Sequence, residues 1–132
     1  MPKLADLKAR QTEIHDLKAA TYVLEWDQAT YMPPGGGLAR ARQIALLERL
    51  GHERLTDPGL GRLLDDLAPY ESSLPYDADD ACLIRVVRRR HERAVRVPAA
   101  FMASASEHFA TTFQAWAAAR PANDFQAVRP LL

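Results

Sequence analysis

Two prolines followed directly by three glycines, at positions 33–37, separate two long helical patterns in this sequence. Such a run cannot continue an α-helix, because proline lacks the amide hydrogen and glycine loses the most backbone entropy. Apolar residues recur at helical spacing over positions 4–26 before the break and over positions 37–55 after it. Two helices joined by a short loop pack side by side, so the sequence predicts a long antiparallel helical hairpin. The residues predicted to face its inside are Leu4, Leu7, Ile14, Leu17 and Leu24 in the first helix and Ile44, Leu47 and Leu50 in the second.

The rest of the chain also favours helices. Ala and Leu supply 40 residues, whereas the β-branched Val and Ile, which strands prefer, supply nine. We predict helices over positions 58–67, 77–96 and 98–119, a loop over 69–75 and a short helical segment after Asn123, with Asp57 and Asp77 as N-caps. The sequence therefore predicts an all-α fold of five to six helices. In it, the long antiparallel hairpin and the further packed helices form a single helical domain over residues 1–132.

Charge and cysteine content exclude several classes of protein. The 17 basic and 17 acidic residues cancel, which disfavours nucleic acid and anionic membranes as partners. The sequence shows neither an apolar run long enough to span a membrane nor a secretory signal. Cys82 is the only cysteine, so the chain cannot form an internal disulfide, and apolar neighbours favour a buried thiol. We therefore expect a cytoplasmic protein with no membrane partner.

The histidines do not complete a zinc-hydrolase motif. Such a motif needs two histidines four residues apart on a helix, with a glutamate after the first. His52-Glu53 is followed at the required position by Thr56, and His91-Glu92 by Val95. His91 shares a helix face with apolar residues, so we interpret it as a hydrogen-bonded histidine at a helix contact. No serine or cysteine lies in a recognisable nucleophile motif. The sequence thus supplies no catalytic residue and no metal ligand.

Six arginines between Arg85 and Arg96 form the strongest charge feature. A basic helix of this kind can enter the major groove of DNA. The alternative is a helix whose acids at the start and bases at the end complement its dipole, with arginines that pair with other helices. Base-reading asparagine and glutamine residues are missing from this face, which favours the second interpretation.

Several dispersed motifs resemble the N-terminal region of the thermostable zinc carboxypeptidases of the Taq type. They occur in the order found in that family and cover essentially the whole chain. The segments that carry the resemblance are Trp26–Gly37 with Arg40, Ala41 and Gln43, His52–Pro58, Tyr76–Ala81, Glu92–Pro98 and Ala122–Phe125.

The resemblance implies a long, almost entirely helical, homodimeric enzyme that removes C-terminal residues from peptides with one divalent metal. In that family the two metal-binding histidines and the catalytic glutamate lie well beyond a segment like this one. We therefore expect residues 1–132 to lack the metal site and to be inactive alone, with zinc or another divalent metal bound only by the full-length enzyme. The residues that match the family signature, in structural or cleft-facing roles, are Trp26, Asp27, Gln28, Met32, Pro33, Gly36, Arg40 and Gln43.

Three hypotheses of function follow from these observations. In the first, the chain is equivalent to the cleft-covering or dimerisation part of a zinc carboxypeptidase, completed by a separate catalytic polypeptide or by a longer gene product. In the second, it is a stand-alone module that self-associates through its hairpin, because exposed apolar stripes favour pairing. The third, nucleic-acid binding through the helix Arg85–Arg96, is the least favoured.

Overall fold

Helices account for nearly all of the backbone in this computed structural model, which describes the backbone of residues 1–132 and every side chain except those of Ala99 and Ala103. No β-strand occurs among these residues, so the all-α prediction is confirmed, with five long helices and one short one. None of the described helices is long and apolar enough to cross a membrane. The α-helices are α1 (Pro2–Thr30), α2 (Gly37–Thr56), α3 (Pro58–Ser73), α4 (Asp79–Ala94), α5 (Ala99–Ala119) and α6 (Phe125–Val128); 3-10 turns lie at Pro34–Gly36, Arg120–Ala122 and Arg129–Leu131.

Backbone contacts group the chain into two compact units. The first, residues 1–97, contains α1 to α4, and the second, residues 98–132, contains α5, α6 and two 3-10 turns. The interpretation of residues 1–132 as one helical domain stays a prediction.

The hairpin of α1 and α2 has the antiparallel register predicted from the break at positions 33–37. Arg54 Nε lies 2.7 Å from Glu13 Oε1, and Arg40 Nη1 lies 2.6 Å from Asp27 Oδ2. From Glu13 to Asp27 the chain advances fourteen residues along α1, while from Arg54 to Arg40 it goes back fourteen along α2. Fourteen residues make almost four helical turns, so both ion pairs lie on the same side of the hairpin. The two ion pairs therefore show that α1 and α2 keep one register over this length.

The buried core of the first unit lies at the base of this hairpin. Leu7, Leu67 and Ile84, which come from three different helices, have no exposed surface. Each of the three helices has an apolar stripe at helical spacing that faces the other two. The members of the core are Leu4 and Leu7 of α1, Leu60, Leu63, Leu64 and Leu67 of α3, and Ile84 and Val87 of α4.

Burial in the outer part of the hairpin is weaker than predicted. Ile44, Leu47 and Leu50 were expected to be buried, but all three are half-buried, and α2 has no fully buried residue. The main neighbour of α2 is α1, and a helix with one main neighbour leaves the flanks of its apolar side chains in water. The prediction that these three α2 side chains would be buried was therefore wrong.

Two helix boundaries also differ from the prediction. The helix α3 continues through Pro69 to Ser73, whereas a loop was expected from position 69. Proline removes only one helical hydrogen bond, and contacts beyond it hold the last turn in place: Tyr70 packs against the core and Glu71 Oε2 lies 3.5 Å from Arg88 Nη2 of α4. The N-cap of α4 is Ala78 rather than Asp77.

The second unit is built around a chain reversal after α5. Asn123 adopts the left-handed conformation (φ 53°), which asparagine tolerates better than most residues. Asp124 then caps α6, accepting a hydrogen bond from the amide of Ala127 at 3.2 Å. His108 Nε2 donates to the carbonyl oxygen of Leu131 at 2.9 Å and so ties the end of the chain to α5.

Asp57 is the N-cap of α3, as predicted, and it also joins two helices. Its Oδ1 accepts a hydrogen bond from the amide of Gly59 at 2.9 Å, and its Oδ2 accepts one from Arg10 Nη1 of α1 at 2.8 Å. A Cβ on Gly59 would lie 2.9 Å from Oδ2, so only glycine allows this close approach. The Gly59 amide and the Arg10 guanidinium hold the pKa of Asp57 below its ordinary value of 3.8.

Because this pKa is lowered in the folded state, the Asp57 carboxylate stabilises the fold above its ordinary pKa. That stabilisation is lost as the pH falls through the lower, folded-state pKa. An Asp57→Asn variant keeps a capping oxygen but does not titrate. We expect it to be less stable than the natural protein near neutral pH and to approach it in stability at an acidic pH below the folded-state pKa of Asp57. Urea unfolding at both pH values measures this difference, and the exposed Asp77→Asn is the matched control. A loss of unfolding free energy that is the same at acidic and neutral pH would contradict the stabilising role of the Asp57 carboxylate.

Candidate functional site

The closed end of the hairpin collects most of the signature residues. Near it, the last turns of α1 and the first turns of α2 lie next to each other across the connection at positions 31–36. We call the residues joined by contacts at this end the hairpin-end cluster. Its members are Leu24, Trp26, Asp27, Tyr31, Met32, Gly36, Arg40 and Gln43.

Arg40 makes the central contacts of the hairpin-end cluster. Its Nη1 lies 2.6 Å from Asp27 Oδ2 and donates to the carbonyl oxygen of Leu24 at 2.7 Å. Its Nε donates to Gln43 Oε1 at 3.1 Å. The Arg40 side chain is only 16% exposed, so these interactions are better shielded than those of an ordinary surface ion pair. The guanidinium therefore bridges α1 and α2 through its Nη1 and Nε donors.

The aromatic members of the cluster face water. Trp26 and Tyr31 form an edge-to-face pair with ring centroids 5.5 Å apart, and their exposed fractions are 59% and 75%. Exposed aromatic side chains held in a fixed geometry are suited to contact with another molecule or another part of a larger protein.

The connection between the helices is closed by short-range contacts. The amides of Tyr31 and Met32 both donate to the carbonyl oxygen of Asp27 at 2.9 Å, and the amide of Gly36 donates to that of Pro33 at 2.8 Å. A Cβ on Gly36 would lie 3.0 Å from Met32 Cγ, so glycine makes room for the methionine side chain. Of the other signature residues, Gln28 is half-buried, while Pro33 and Gln43 are exposed. The structure thus joins Asp27, Arg40 and Gln43 directly and places Gln28 and Pro33 beside them.

A charged cleft of about 690 Å³ lies at the opposite end of the hairpin. Its acids are already paired: Asp6 and Asp57 with Arg10, Glu13 with Arg54, and Glu53 with Arg49. The sequence analysis missed this network, although oppositely charged residues at matching positions of an antiparallel pair, such as Glu13 and Arg54, are a readable signal. Since each carboxylate has a cationic partner, the cleft is best described as a set of ion pairs. The pairs Arg10–Asp57 and Arg54–Glu13 join different helices, whereas Arg10–Asp6 and Arg49–Glu53 lie within one helix.

His91 has the role predicted for it. Its Nδ1 donates to the carbonyl oxygen of Leu55 at 2.7 Å, which joins α4 to α2. A Cβ on Gly61 would lie 2.9 Å from His91 Nε2, so the glycine lets α3 approach the imidazole closely. Cys82 is half-buried rather than buried; its Sγ lies 3.7 Å from the carbonyl oxygen of Tyr76, in the turn before α4, and 3.1 Å from Arg85 Nη2, one turn further along α4.

The arginines of α4 divide into two groups. Arg88 pairs with Asp65 and Glu71 of α3, and Arg85 lies over the ring of Tyr76 at 4.1 Å. The other three, Arg89, Arg90 and Arg93, are exposed, and so is Arg96, which lies just beyond the end of α4 although the helix was predicted to reach it. The pairing with another helix agrees with the structural interpretation of this segment, and nucleic-acid binding stays a hypothesis.

No group of three or more histidine, cysteine, aspartate or glutamate side chains could hold a metal ion within the described part of the chain. The residues present do not fit a catalytic metal.

Comparisons of the sequence and of the structure with known proteins point to the same family. Residues 6–132 match the family described as Carboxypeptidase Taq (M32) metallopeptidase. Thermostable carboxypeptidase 1 of Thermus thermophilus is 34% identical over 124 residues, which is 92% of this chain and 24% of that protein. The crystal structure of the M32 carboxypeptidase from Deinococcus radiodurans matches 99% of this chain and 26% of its own, with 37% identity and a TM-score of 0.74. The crystal structure of BsuCP has the same fold over 99% of this chain and 26% of its own, with a TM-score of 0.89 at 20% identity. The chain therefore spans about a quarter of the length of its relatives.

Arg40→Met tests the hairpin-end cluster. Methionine keeps the apolar stem and the helix propensity but removes the contacts to Asp27, Leu24 and Gln43. We expect the free energy of unfolding, measured by urea denaturation with circular dichroism, to fall by about 1–2 kcal/mol. Arg42→Met, at an exposed position of the same helix, is the control and should change it by less than about 0.5 kcal/mol. Equal losses in the two variants would contradict a stabilising role for Arg40.

Proposed function

The chain belongs to the Taq carboxypeptidase (M32) metallopeptidase family, and from this premise we propose that it works as the N-terminal helical part of a metal-dependent carboxypeptidase. The observation that carries the proposal is the match of residues 6–132 to the family, on helices that align with about a quarter of an M32 carboxypeptidase. On this proposal the complete enzyme releases C-terminal residues from peptides, and these helices support chemistry that other residues perform.

The donor atoms within the chain support this division. The imidazole of His91 is held by the Leu55 carbonyl at a helix contact, and the described side chains offer no cluster of metal ligands. On this proposal, zinc or another divalent ion is held by the remainder of the enzyme and not by residues 1–132.

The hairpin-end cluster suggests how the helices contribute. Asp27 and Arg40 hold the end of the hairpin in a fixed shape, and the rings of Trp26 and Tyr31 are exposed on it. In the complete enzyme this end covers one side of the substrate cleft. Its aromatic rings then limit the space around the peptide, whereas the ion pair acts on the substrate only through the position of the rings.

A chimeric enzyme tests the proposal. Residues 1–132 replace the matching quarter of the Deinococcus radiodurans M32 carboxypeptidase, and release of C-terminal residues from a peptide is measured with zinc or cobalt present. We expect the chimera to be active and the isolated chain to release nothing with either metal, because its side chains do not form a metal site.

Two results would contradict this proposal. Metal-dependent release by the isolated chain would show that it carries its own catalytic site. A folded, metal-loaded chimera without activity would show that the chain does not replace its relative's helices. Within an active chimera, Trp26→Ala should raise KM more than it lowers kcat if the ring lies beside the substrate.

Self-association through the hairpin is a second candidate function, and it is supported by the outer face of α1. Tyr22, Val23 and Trp26 lie on one side of this helix and are 56–64% exposed. Lys18 Nζ lies 5.6 Å from the centre of the Tyr22 ring, so the face has a charged edge. An apolar centre with a polar rim is the usual composition of a protein interface. We propose that two copies of the chain pair through this face.

Val23→Lys should prevent this pairing, because it places a charge at the centre of the face. Sedimentation equilibrium at tens of micromolar is expected to show a dimer whose dissociation constant rises at least about tenfold in the variant. Ala5→Lys adds the same charge at an exposed position of α1 about five helical turns away from Val23 and should have little effect. A monomer at all concentrations would exclude the dimer.

A further inference from the structure

The helix α5 carries the largest group of exposed apolar side chains in the second unit. Their spacing places them on one side of the helix, within about a third of its circumference. Their exposed fractions range from 37% to 69%, although these are residue types that normally lie inside proteins. The members of this α5 face are Phe101, Met102, Phe109, Phe113 and Trp116.

The rest of the second unit packs along one edge of the α5 face. His108 Nε2 and Thr112 Oγ1 both donate to the carbonyl oxygen of Leu131, at 2.9 and 3.5 Å. Val128 of α6 and Ala119 of α5 are the buried apolar residues of this unit. The α5 face lies beside this contact, so the short C-terminal segment leaves its aromatic rings uncovered.

The charge distribution of the α5 face distinguishes it from a reversible interface. The face carries no carboxylate, and its one cation is Arg120, whose guanidinium lies 5.0 Å from the centre of the Trp116 ring at the C-terminal end of the helix. Reversible interfaces surround an apolar centre with a polar rim, whereas permanent ones resemble a protein core cut in half. Four aromatic side chains and a methionine, with a single cation at one end and no acid, are of the second kind.

We propose that the α5 face docks permanently onto an apolar surface in the part of an M32 carboxypeptidase that lies outside the matched quarter. The proposal rests on the proposed function. Two observations support this occupant over a second copy of the chain. The relatives are about four times as long as the matched segment, so they contain further chain that can cover the face. The M32 structure also aligns with 99% of this chain, which includes α5.

The test compares one substitution in two settings. Phe109 is 69% exposed, so Phe109→Ser should leave the unfolding temperature of the isolated chain unchanged within about 1 °C, since serine and phenylalanine have similar helix propensities. In the chimera described above, the ring is buried against the remainder of the enzyme. There the same substitution should lower the apparent unfolding temperature by about 3 °C or more. Gln114→Ser, at an exposed position on the opposite side of α5, should have no effect in either setting.

Each outcome decides the proposal. Equal effects of Phe109→Ser in the chain and in the chimera, or a chimera without a cooperative unfolding transition, would overturn it. A dimer of the isolated chain that dissociates on Phe109→Ser would assign the face to a second copy instead. An inactive chimera that still shows the specific loss of thermal stability would contradict the proposed function and leave the docking intact. An active chimera whose unfolding temperature does not change on Phe109→Ser would contradict the docking and leave the proposed function intact.

Discussion

The burial of apolar stripes from α1, α3 and α4 against one another is the constraint on which the first unit depends. Leu7, Leu67 and Ile84 are removed from water completely, and transfer of such side chains stabilises a fold by about 1.5–3 kcal/mol each. This contact occupies only the first turns of α1, because Leu4 and Leu7 are its α1 members. The rest of α1 and most of α2 extend from that base as a two-helix arm, in which Ile14 and Thr21 of α1 are buried and no residue of α2 is fully buried.

A two-helix arm needs other interactions to keep its register, and charged pairs supply them. Arg54 and Glu13 join the helices near the base, and Arg40 and Asp27 join them near the end. The second pair is the better shielded, and it also engages a backbone carbonyl, so it restricts the hairpin end more than an exposed pair could. The aromatic rings of Trp26 and Tyr31 are therefore presented from a defined position, which is what either a cleft cover or a docking surface requires.

The two exposed apolar faces of the molecule differ in chemistry and fit different occupants. The α1 face of Tyr22, Val23 and Trp26 has a lysine at its edge, which suits a reversible contact between copies. The α5 face is longer, richer in aromatic side chains and without acidic residues, which suits permanent burial inside a larger helical enzyme.

Local chemistry in the sequence was enough to place the helices and the family. The helix break at positions 33–37 and the Asp57 cap depend on neighbouring residues, and the structure agrees with both. The dispersed signature segments indicated the family, and the family match agrees with them. The degree of burial depended on the packing of distant elements. Leu47 and Leu50 of α2 are half-buried because α2 has one main neighbour. The helix α3 continues through Pro69 because α4 and the core hold its last turn. Arg40 joins two helices because its guanidinium reaches a carbonyl oxygen sixteen residues away. Helix propensity is a property of adjacent residues, so the sequence alone could determine it. Which faces lie against protein and which stay in water is decided only when the helices assemble.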